Sequence, residues 1–145
     1  DNNYLKKYGR LYTKESAFNS NKMQIKGKIQ GVCPDGWHIP SRAEWFQLFN
    51  YLGNTNNAGG KLKESNTINW QSPNTGATNE SGFTAMPGGY YDSNNNNFDH
   101  LRYYCYFWFN TSDDFNTIVL SYNDSKVTQN IVDENFAISV RCIKD

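Results

Sequence analysis

The best-specified stretch of the sequence reads Gly31-Val32-Cys33-Pro34-Asp35-Gly36-Trp37-His38-Ile39-Pro40-Ser41-Arg42-Ala43-Glu44-Trp45. Its second half predicts the start of a helix, because Ser41 and Glu44 have the spacing of a capping box. In that motif the hydroxyl and the carboxylate each accept a hydrogen bond from the other residue's backbone N–H. Apolar residues then recur at positions 45, 48, 49 and 52, which is the spacing of one helix face. Gly53 predicts the end of this helix.

The composition indicates one domain with a core rich in aromatic rings. The chain has 145 residues, of which 16% are aromatic, and its formal net charge is zero. A neutral balance gives no electrostatic footprint for nucleic acid, and no apolar run approaches the ~20 residues that a membrane span requires. We therefore expect neither nucleic-acid binding nor direct membrane insertion. Asn is the most frequent residue and favours turns, so short strands joined by long ordered loops are expected.

Three cysteines are present, and two of them enclose most of the chain. A bridge between Cys33 and Cys142 would restrict the unfolded chain strongly and would imply an oxidising compartment. The alternative is three reduced cysteines in a cytosolic protein. Cys105 lies in an aromatic run and is predicted to be a buried, unpaired thiol.

The last third of the chain has the residue pattern of strands. Residues 101–110 form an aromatic run, Ile118, Leu120 and Tyr122 occupy alternate positions of the next strand, and residues 125–130 fit a third. Residues 138–142 are predicted to form the last strand, with Cys142 on its apolar face. A further short strand is predicted at residues 83–86. Phe107 and Trp108 are predicted to belong to the core.

The sequence resembles the Fibrobacter succinogenes major paralogous domain family. Five ordered motifs carry the resemblance across nearly the whole chain: Tyr8-Gly9-Arg10-Leu11-Tyr12-Thr13, the run from Cys33 to Trp45, Ala58-Gly59-Gly60-Lys61-Leu62-Lys63, Thr78-Asn79-Glu80-Ser81-Gly82-Phe83-Thr84-Ala85-Met86-Pro87-Gly88-Gly89-Tyr90, and Phe136-Ala137-Ile138-Ser139-Val140-Arg141-Cys142. One motif departs from the family pattern, because Phe107-Trp108-Phe109-Asn110-Thr111 stands where the family usually has an aromatic-Trp-Ser-Ser-Thr run.

The resemblance implies an α+β fold related to the C-type lectins. It would have two helices, a small twisted antiparallel sheet and long ordered loops within a single domain, residues 1–145. The family occurs in secreted and cell-surface proteins, notably of Bacteroidota and Fibrobacteres, and has no established common activity. We therefore expect an extracellular or outer-surface location within a larger adhesin, pilus protein or lipoprotein. Because the chain starts at Asp1 without Met, we interpret it as a fragment that lacks its signal or lipoprotein anchor.

Binding of a protein or a glycan is the function that the residue types favour. Tyrosine offers a large contact area with few rotamers, and Asn adds adaptable hydrogen bonds, as in antibody paratopes. The candidate ligand-binding residues are Tyr90, Tyr91, Tyr103, Tyr104, Tyr106, Phe109, Asn110, Asp113, Asp114, Phe115, Asn116, Tyr122, Asn123 and Asp124. Tyr106 is equally compatible with a core position by strand alternation. The alternative to an adhesion domain is a carbohydrate-binding module of a polysaccharide-utilisation protein.

No cofactor is predicted. His38 is expected to be satisfied by the backbone, and His100 is expected to be a surface side chain. Asp113, Asp114 and Asp124 offer oxygens for Ca²⁺, but the Glu-Pro-Asn and Trp-Asn-Asp motifs of calcium-dependent lectins are absent. Calcium therefore remains an unsupported alternative.

An enzyme is the least favoured of the three functions. The run at residues 39–45 is also similar to one in the formylglycine-generating enzymes, which use a reactive cysteine pair and copper. A reactive thiolate needs an exposed, electropositive setting, and the aromatic surroundings of Cys105 do not provide one. The capping box explains the shared run, so we predict no catalytic residues.

A further hypothesis concerns sequence variation. Some proteins with this fold are targets of diversity-generating retroelements, which mutate adenines and so convert Asn codons to a limited set of residues. The unusual residues here all belong to that set: Tyr103, Tyr104, Cys105, Phe109, Asn110, Asp113, Asp114, Phe115, Asn116, Tyr122, Asn123 and Asp124. The alternative is an AT-rich genome, which enriches the same residues everywhere.

Overall fold

The helices and strands form a mixed fold with small antiparallel sheets, which confirms the α+β prediction at that level. A computed structural model describes residues 2–18, 27–111 and 116–145. Within these residues the helices are α1 (Asn2–Tyr8), α2 (Lys14–Phe18), α3 (Arg42–Tyr51) and α4 (Thr55–Leu62). The strands are β1 (Tyr12–Thr13), β2 (Trp37–His38), β3 (Tyr90–Asp92), β4 (Asn97–Asp99), β5 (Tyr104–Trp108), β6 (Thr117–Ser121), β7 (Val127–Asn130), β8 (Phe136–Ile138) and β9 (Ile143–Lys144).

Three antiparallel sheets organise the described residues. One has the strand order β1-β8-β3-β4, one pairs β2 with β9, and one has the order β5-β6-β7. In the last of these, Phe107 pairs with Ile118 and Cys105 with Leu120. The hairpin β3–β4 pairs Tyr91 with Phe98, and Tyr91 also pairs with Ala137 in β8.

Helix α3 begins as the capping motif predicts. The Ser41 hydroxyl accepts from the Glu44 backbone N–H at 3.3 Å, and the Glu44 carboxylate accepts from the Ser41 N–H at 2.9 Å. The apolar stripe of α3 places Trp45 and Phe49 in the core. Gly53 follows the helix with φ +116°, a conformation that glycine adopts at low cost.

The disulfide prediction is confirmed. Cys33 and Cys142 are bonded across 109 residues of sequence. Cys33 lies just before β2, Cys142 just before β9, and these two strands pair. The bridge therefore joins a segment near the start of the fold to its last strand. Cys105 is a buried free thiol, also as predicted.

The sheet β5-β6-β7 is covered on both faces. Phe107, Ile118 and Leu120 pack with helices α3 and α4 in one cluster. Trp108 and Val119 face the other way and pack with Ala17, Ile39 and Ile138. The predicted core positions Phe107 and Trp108 are confirmed. Because successive side chains of a strand point to opposite faces, the two lie in opposite clusters.

Several predicted elements were wrong in detail. The described residues contain four helices, not two. Residues 83–86 form no strand, because only Ala85 makes a bridge, to Lys63, and Thr84 has φ +54°. The predicted strand at 138–142 is not continuous, since Ile138 ends β8, residues 139–142 lie in no strand, and β9 begins at Ile143 in a different sheet. The chain must leave one sheet to reach the other.

Candidate functional site

Lys63 lies at the centre of a loop region that is held together by hydrogen bonds. It follows α4 directly and its side chain is fully buried. The ammonium donates to the backbone carbonyls of Thr75 at 2.9 Å, Ser121 at 2.8 Å and Asp124 at 2.9 Å. It also lies 5.3 Å from the centre of the Trp70 ring. One cation thus ties together two loops that are about 50 residues apart in sequence.

Burial changes the acid–base behaviour of this lysine. Removal from water disfavours the charged form and lowers the pKa of Lys63 from the ordinary 10.5 to about 8, although the negative charge of Asp124 raises it in part. The three carbonyl dipoles and the Trp70 face supply the attraction that keeps an ammonium in this place.

Backbone hydrogen bonds add a third loop to this region. The Tyr122 N–H donates to the Tyr103 carbonyl at 2.9 Å, and the Thr75 N–H donates to the Tyr122 carbonyl at 2.8 Å. The Gln71 N–H donates to the Arg102 carbonyl at 2.8 Å. We call residues 71–76, 100–104 and 121–126 the loop platform. Its loops are fixed to one another and to α4 through main-chain atoms.

Two glycines of α4 allow the loop platform to approach the helix. A Cβ on Gly59 would overlap the Lys126 carbonyl, and a Cβ on Gly60 would overlap the Gly76 carbonyl. The Gly60 N–H donates to the Ser125 carbonyl at 3.0 Å across this contact. Glycine is therefore required here for close approach of backbone to backbone.

The outer surface of the loop platform carries tyrosine and asparagine. The Tyr103 side chain is 42% exposed, and its ring meets that of Tyr122 edge to face at 5.1 Å. Asn123 is exposed beside them and its amide oxygen accepts from the Ser121 hydroxyl. The Asp124 carboxylate accepts from the Lys126 N–H at 2.9 Å. These are the predicted site residues that the structure brings together at the surface.

A second group of predicted residues surrounds His100 and faces inward. The His100 Nδ1 atom lies 2.7 Å from the Tyr106 hydroxyl, and its ring contacts those of Tyr90 and Tyr104. Tyr90 also stacks on Phe136 at 4.5 Å. Burial, assisted by Asp99 and Asp92, raises the pKa of the Tyr90 hydroxyl. His100 is thus half-buried among aromatic rings, and its prediction as a surface side chain was wrong.

Three of the candidate ligand-binding residues are buried inside the protein. Phe109 is only 1% exposed and belongs to the core cluster under α3, and Tyr106 is buried on the opposite face of the sheet. Asn116 is buried as well, and its amide group exchanges two hydrogen bonds with the Val132 backbone. A ring or amide in such a position cannot touch a partner at the surface, so these three assignments require correction. Strand alternation could not reveal this burial, since both faces of the sheet are covered.

The remaining candidates do not join the loop platform. Asn110 is half-buried and its backbone bonds with Pro40 and Arg42. Tyr91 points away from Tyr90, toward α1. Asp113, Asp114 and Phe115 lie outside the described residues.

His38 is held by carboxylates, not by the backbone as predicted. Its buried ring has Nδ1 2.7 Å from an Asp145 oxygen and Nε2 2.8 Å from a Glu44 oxygen. Burial alone would raise the pKa of Glu44, but hydrogen bonds from Ser41 and His38 outweigh it and lower that pKa. The capping box of α3 therefore extends to the C-terminal segment through one imidazole.

Metal binding and thiol catalysis find little support in the part of the chain that the structure describes. No three His, Cys, Asp or Glu side chains converge there as a metal site would require. Burial raises the pKa of the Cys105 thiol, which favours the unreactive neutral form. Among the described helices, none has the length and apolar character to cross a membrane.

Comparison of the sequence with known families gives a match over nearly the whole chain. The sequence model of the Fibrobacter succinogenes major domain matches residues 1–144. The chain belongs to this family. The match spans all the elements described above and confirms the resemblance that the five motifs indicated. Neither the curated proteins nor the solved structures yielded a match to the chain.

Sequence reasoning missed Lys63 as the organiser of the loop platform. The Gly59-Gly60 pair was the available signal, because two glycines inside a helix are unfavourable by about 1 kcal/mol each unless something approaches the backbone. The backbone that approaches these glycines belongs to loops distant in sequence, and so do the carbonyls that Lys63 binds. A local sequence pattern could therefore not identify either one.

Proposed function

We propose that this domain is a non-enzymatic ligand-binding module of a bacterial cell-surface or pilus protein. The loop platform would contact a protein or a glycan, and the fold would be C-type-lectin-like. The observation that carries the proposal is the tied set of three loops that presents Tyr103, Tyr122 and Asn123 at the surface.

Preorganisation is the physical reason for favouring recognition. A loop that is ordered before binding loses less entropy when it binds. Here Lys63 and the main-chain bonds hold the loops in place, and tyrosine adds contact area with only two side-chain torsions. The disulfide supports an extracellular location, since such bonds persist in oxidising compartments. The raised pKa of the one free thiol supports a non-enzymatic role.

The test is binding to two defined arrays, one of bacterial and host glycans and one of purified extracellular proteins. We expect Tyr103→Ala and Asn123→Ala to weaken any specific binding by about tenfold or more, the effect of losing a buried contact of roughly 1.4 kcal/mol. Tyr51→Ala is the matched control, because Tyr51 is 86% exposed on α3 and outside the platform.

The outcomes of this test distinguish an adhesion role, a carbohydrate-binding module and a wrong assignment of the site. Protein binding that depends on Tyr103 supports the adhesion role, whereas glycan binding alone supports the carbohydrate-binding module. Binding that the Tyr51 and Tyr103 variants weaken equally, or no binding on either array, contradicts the assignment of the loop platform as the site.

Retroelement-directed variation remains a prediction, and it applies best to the platform positions whose side chains reach the surface in whole or in part. Changes at Tyr103, Tyr122, Asn123 and Asp124 would alter the surface, whereas changes at Cys105 would alter the core. A near-copy of the coding segment that differs only at adenines, beside a reverse transcriptase gene, would support the hypothesis. A genome without such a copy would exclude it.

A further inference from the structure

A groove of about 620 Å³ lies between α1 and the four-stranded sheet. Its floor is one cross-strand row, because Ala137 in β8 pairs with Tyr91 in β3 and Tyr91 pairs with Phe98 in β4. Residues directly opposite in neighbouring strands share a face of the sheet. The Phe98 side chain is 70% exposed, and its ring lies 4.8 Å from that of Tyr91.

Helix α1 forms the opposite wall and also exposes aromatic rings. Tyr4 and Tyr8 are one turn apart, and their rings stack at 6.0 Å. No described residue of α1 is buried, and Tyr4 is 54% exposed. A surface helix normally buries its apolar side chains, whereas this helix leaves them beside an open groove. Exposed apolar patches of this kind mark binding sites.

The charged side chains that line the groove, among the residues that the structure describes, are of one sign. Arg10 follows α1 at the groove, is exposed, and has no hydrogen-bond or ion-pair partner among residues 2–18, 27–111 and 116–145. An adjoining hollow of about 340 Å³ shares Arg10 and adds Lys7 and Arg141. Within the described part of the chain, neither lining includes an Asp or a Glu. Asp92 and Asp99 lie on the other face of their strands, by alternation from Tyr91 and Phe98.

We propose that this groove binds an acidic oligosaccharide, a short glycan that contains uronic acid. Sugar rings would pack between the tyrosines of α1 and the Tyr91–Phe98 pair, and a carboxylate would pair with the Arg10 guanidinium. The planar fork of arginine matches a carboxylate in geometry as well as charge. Aromatic walls with cationic groups at their edge are complementary to a ligand that is both flat-faced and anionic.

An extended peptide fits the groove less well. Peptides that bind along sheets take main-chain hydrogen bonds from a free strand edge. The floor of this groove is a sheet face, where the backbone groups of β3 are paired with both neighbouring strands. We therefore do not propose an acidic peptide as the ligand, and the test below includes one so that peptide binding can be recognised.

The side chains that carry this proposal, those of Arg10, Tyr91 and Phe98, lie outside the loop platform, and Leu101 is the one described residue that belongs to both. The proposal therefore stands independently of the proposed function. The platform variant Tyr103→Ala can be measured in parallel, and loss of array binding in that variant says nothing about the groove.

Isothermal titration of the whole chain with trigalacturonate and with uncharged galactotriose tests the proposal. We expect trigalacturonate to bind about tenfold more tightly, and its affinity to fall as salt is added, because ion pairing is screened. Arg10→Gln should lower trigalacturonate affinity about tenfold and leave galactotriose affinity unchanged. Phe98→Ala should weaken both sugars. Both side chains are exposed, so these variants are expected to fold.

Two control variants and one alternative ligand complete the test. Lys144→Gln removes one exposed positive charge from β9, and Tyr51→Ala removes one exposed ring from α3. Neither should change the binding of either sugar. Equal affinity for the two sugars, no binding of either, or equal effects of Arg10→Gln and Lys144→Gln would overturn the proposal. Binding of a Glu-rich hexapeptide without binding of trigalacturonate would overturn it in favour of a peptide site.

Discussion

Replacement of Lys63 by methionine tests whether one buried cation organises the loop platform. Methionine has a similar length but carries no charge and no donor. The substitution leaves the carbonyls of Thr75, Ser121 and Asp124 without their donor. A buried carbonyl without a partner costs about 1–3 kcal/mol.

The cost of burying the charge opposes this loss. A pKa lowered from 10.5 to about 8 means that the protonated lysine is disfavoured in the folded protein by about 3 kcal/mol at neutral pH, at about 1.4 kcal/mol per pH unit. Methionine avoids that cost. Three such carbonyls together cost about 3–9 kcal/mol, so we expect the substitution to lower the free energy of unfolding at pH 7 by about 3 kcal/mol, the net of the two effects at the middle of that range.

The dependence on pH gives the sharper test. Between pH 8 and 10.5 the unfolded chain holds a proton on Lys63 that the folded chain has released. Stability rises with pH wherever the unfolded state binds more protons. The natural chain should therefore gain stability relative to Lys63→Met across this range, by at most about 3 kcal/mol. Below pH 8 the difference between the two should be constant.

Urea unfolding followed by tryptophan fluorescence, at a series of pH values, measures this difference. Lys61→Met is the matched control, because Lys61 lies two residues earlier in α4 and makes only a partly exposed ion pair with Glu80. We expect that control to change stability by less than about 1 kcal/mol with no such pH dependence. A flat or shrinking difference between the natural chain and Lys63→Met above pH 8 would refute the reasoning.

Three further predictions concern the disulfide, the start of α3 and the close approach at α4. Reduction of the Cys33–Cys142 bridge, which closes 109 residues, should lower the free energy of unfolding by about 4–5 kcal/mol. A Cys33→Ser/Cys142→Ser variant should not respond to reductant, and a response of equal size in both proteins would contradict the assignment. Glu44→Gln should destabilise the chain by about 1 kcal/mol at neutral pH, measured by urea unfolding. Because the folded-state pKa of Glu44 lies below its ordinary 4.5, this advantage of the natural chain should disappear as the pH falls through that lowered pKa. An advantage that persists at the lowest pH would show that the carboxylate charge is unimportant. Gly60→Ala should cost about 1–3 kcal/mol through its overlap with the Gly76 carbonyl, whereas Gly88→Ala, whose Cβ would meet only ordinary contacts, should cost less. Equal losses of thermal stability would argue against close approach at Gly60.

The elements that sequence reasoning predicted best depend on neighbours in the chain. The α3 capping box uses residues three positions apart, and its apolar stripe repeats with the helix period. The family match also depends on ordered local motifs. By contrast, the carbonyls that Lys63 binds are 12, 58 and 61 residues away, a distance at which no local pattern acts.

The amino-acid sequence alone determined the family, the capped helix, the disulfide pair and the alternation of rings along β5. It could not determine which rings reach the surface. Alternation separates side chains into two faces, but only packing decides whether a face is covered, and here helices lie on one face while β8 and the N-terminal segment lie on the other. Tyr106 and Phe109 are buried for that reason. Tyr103 is exposed because it precedes the strand, in a loop that the tertiary hydrogen bonds hold outside both layers.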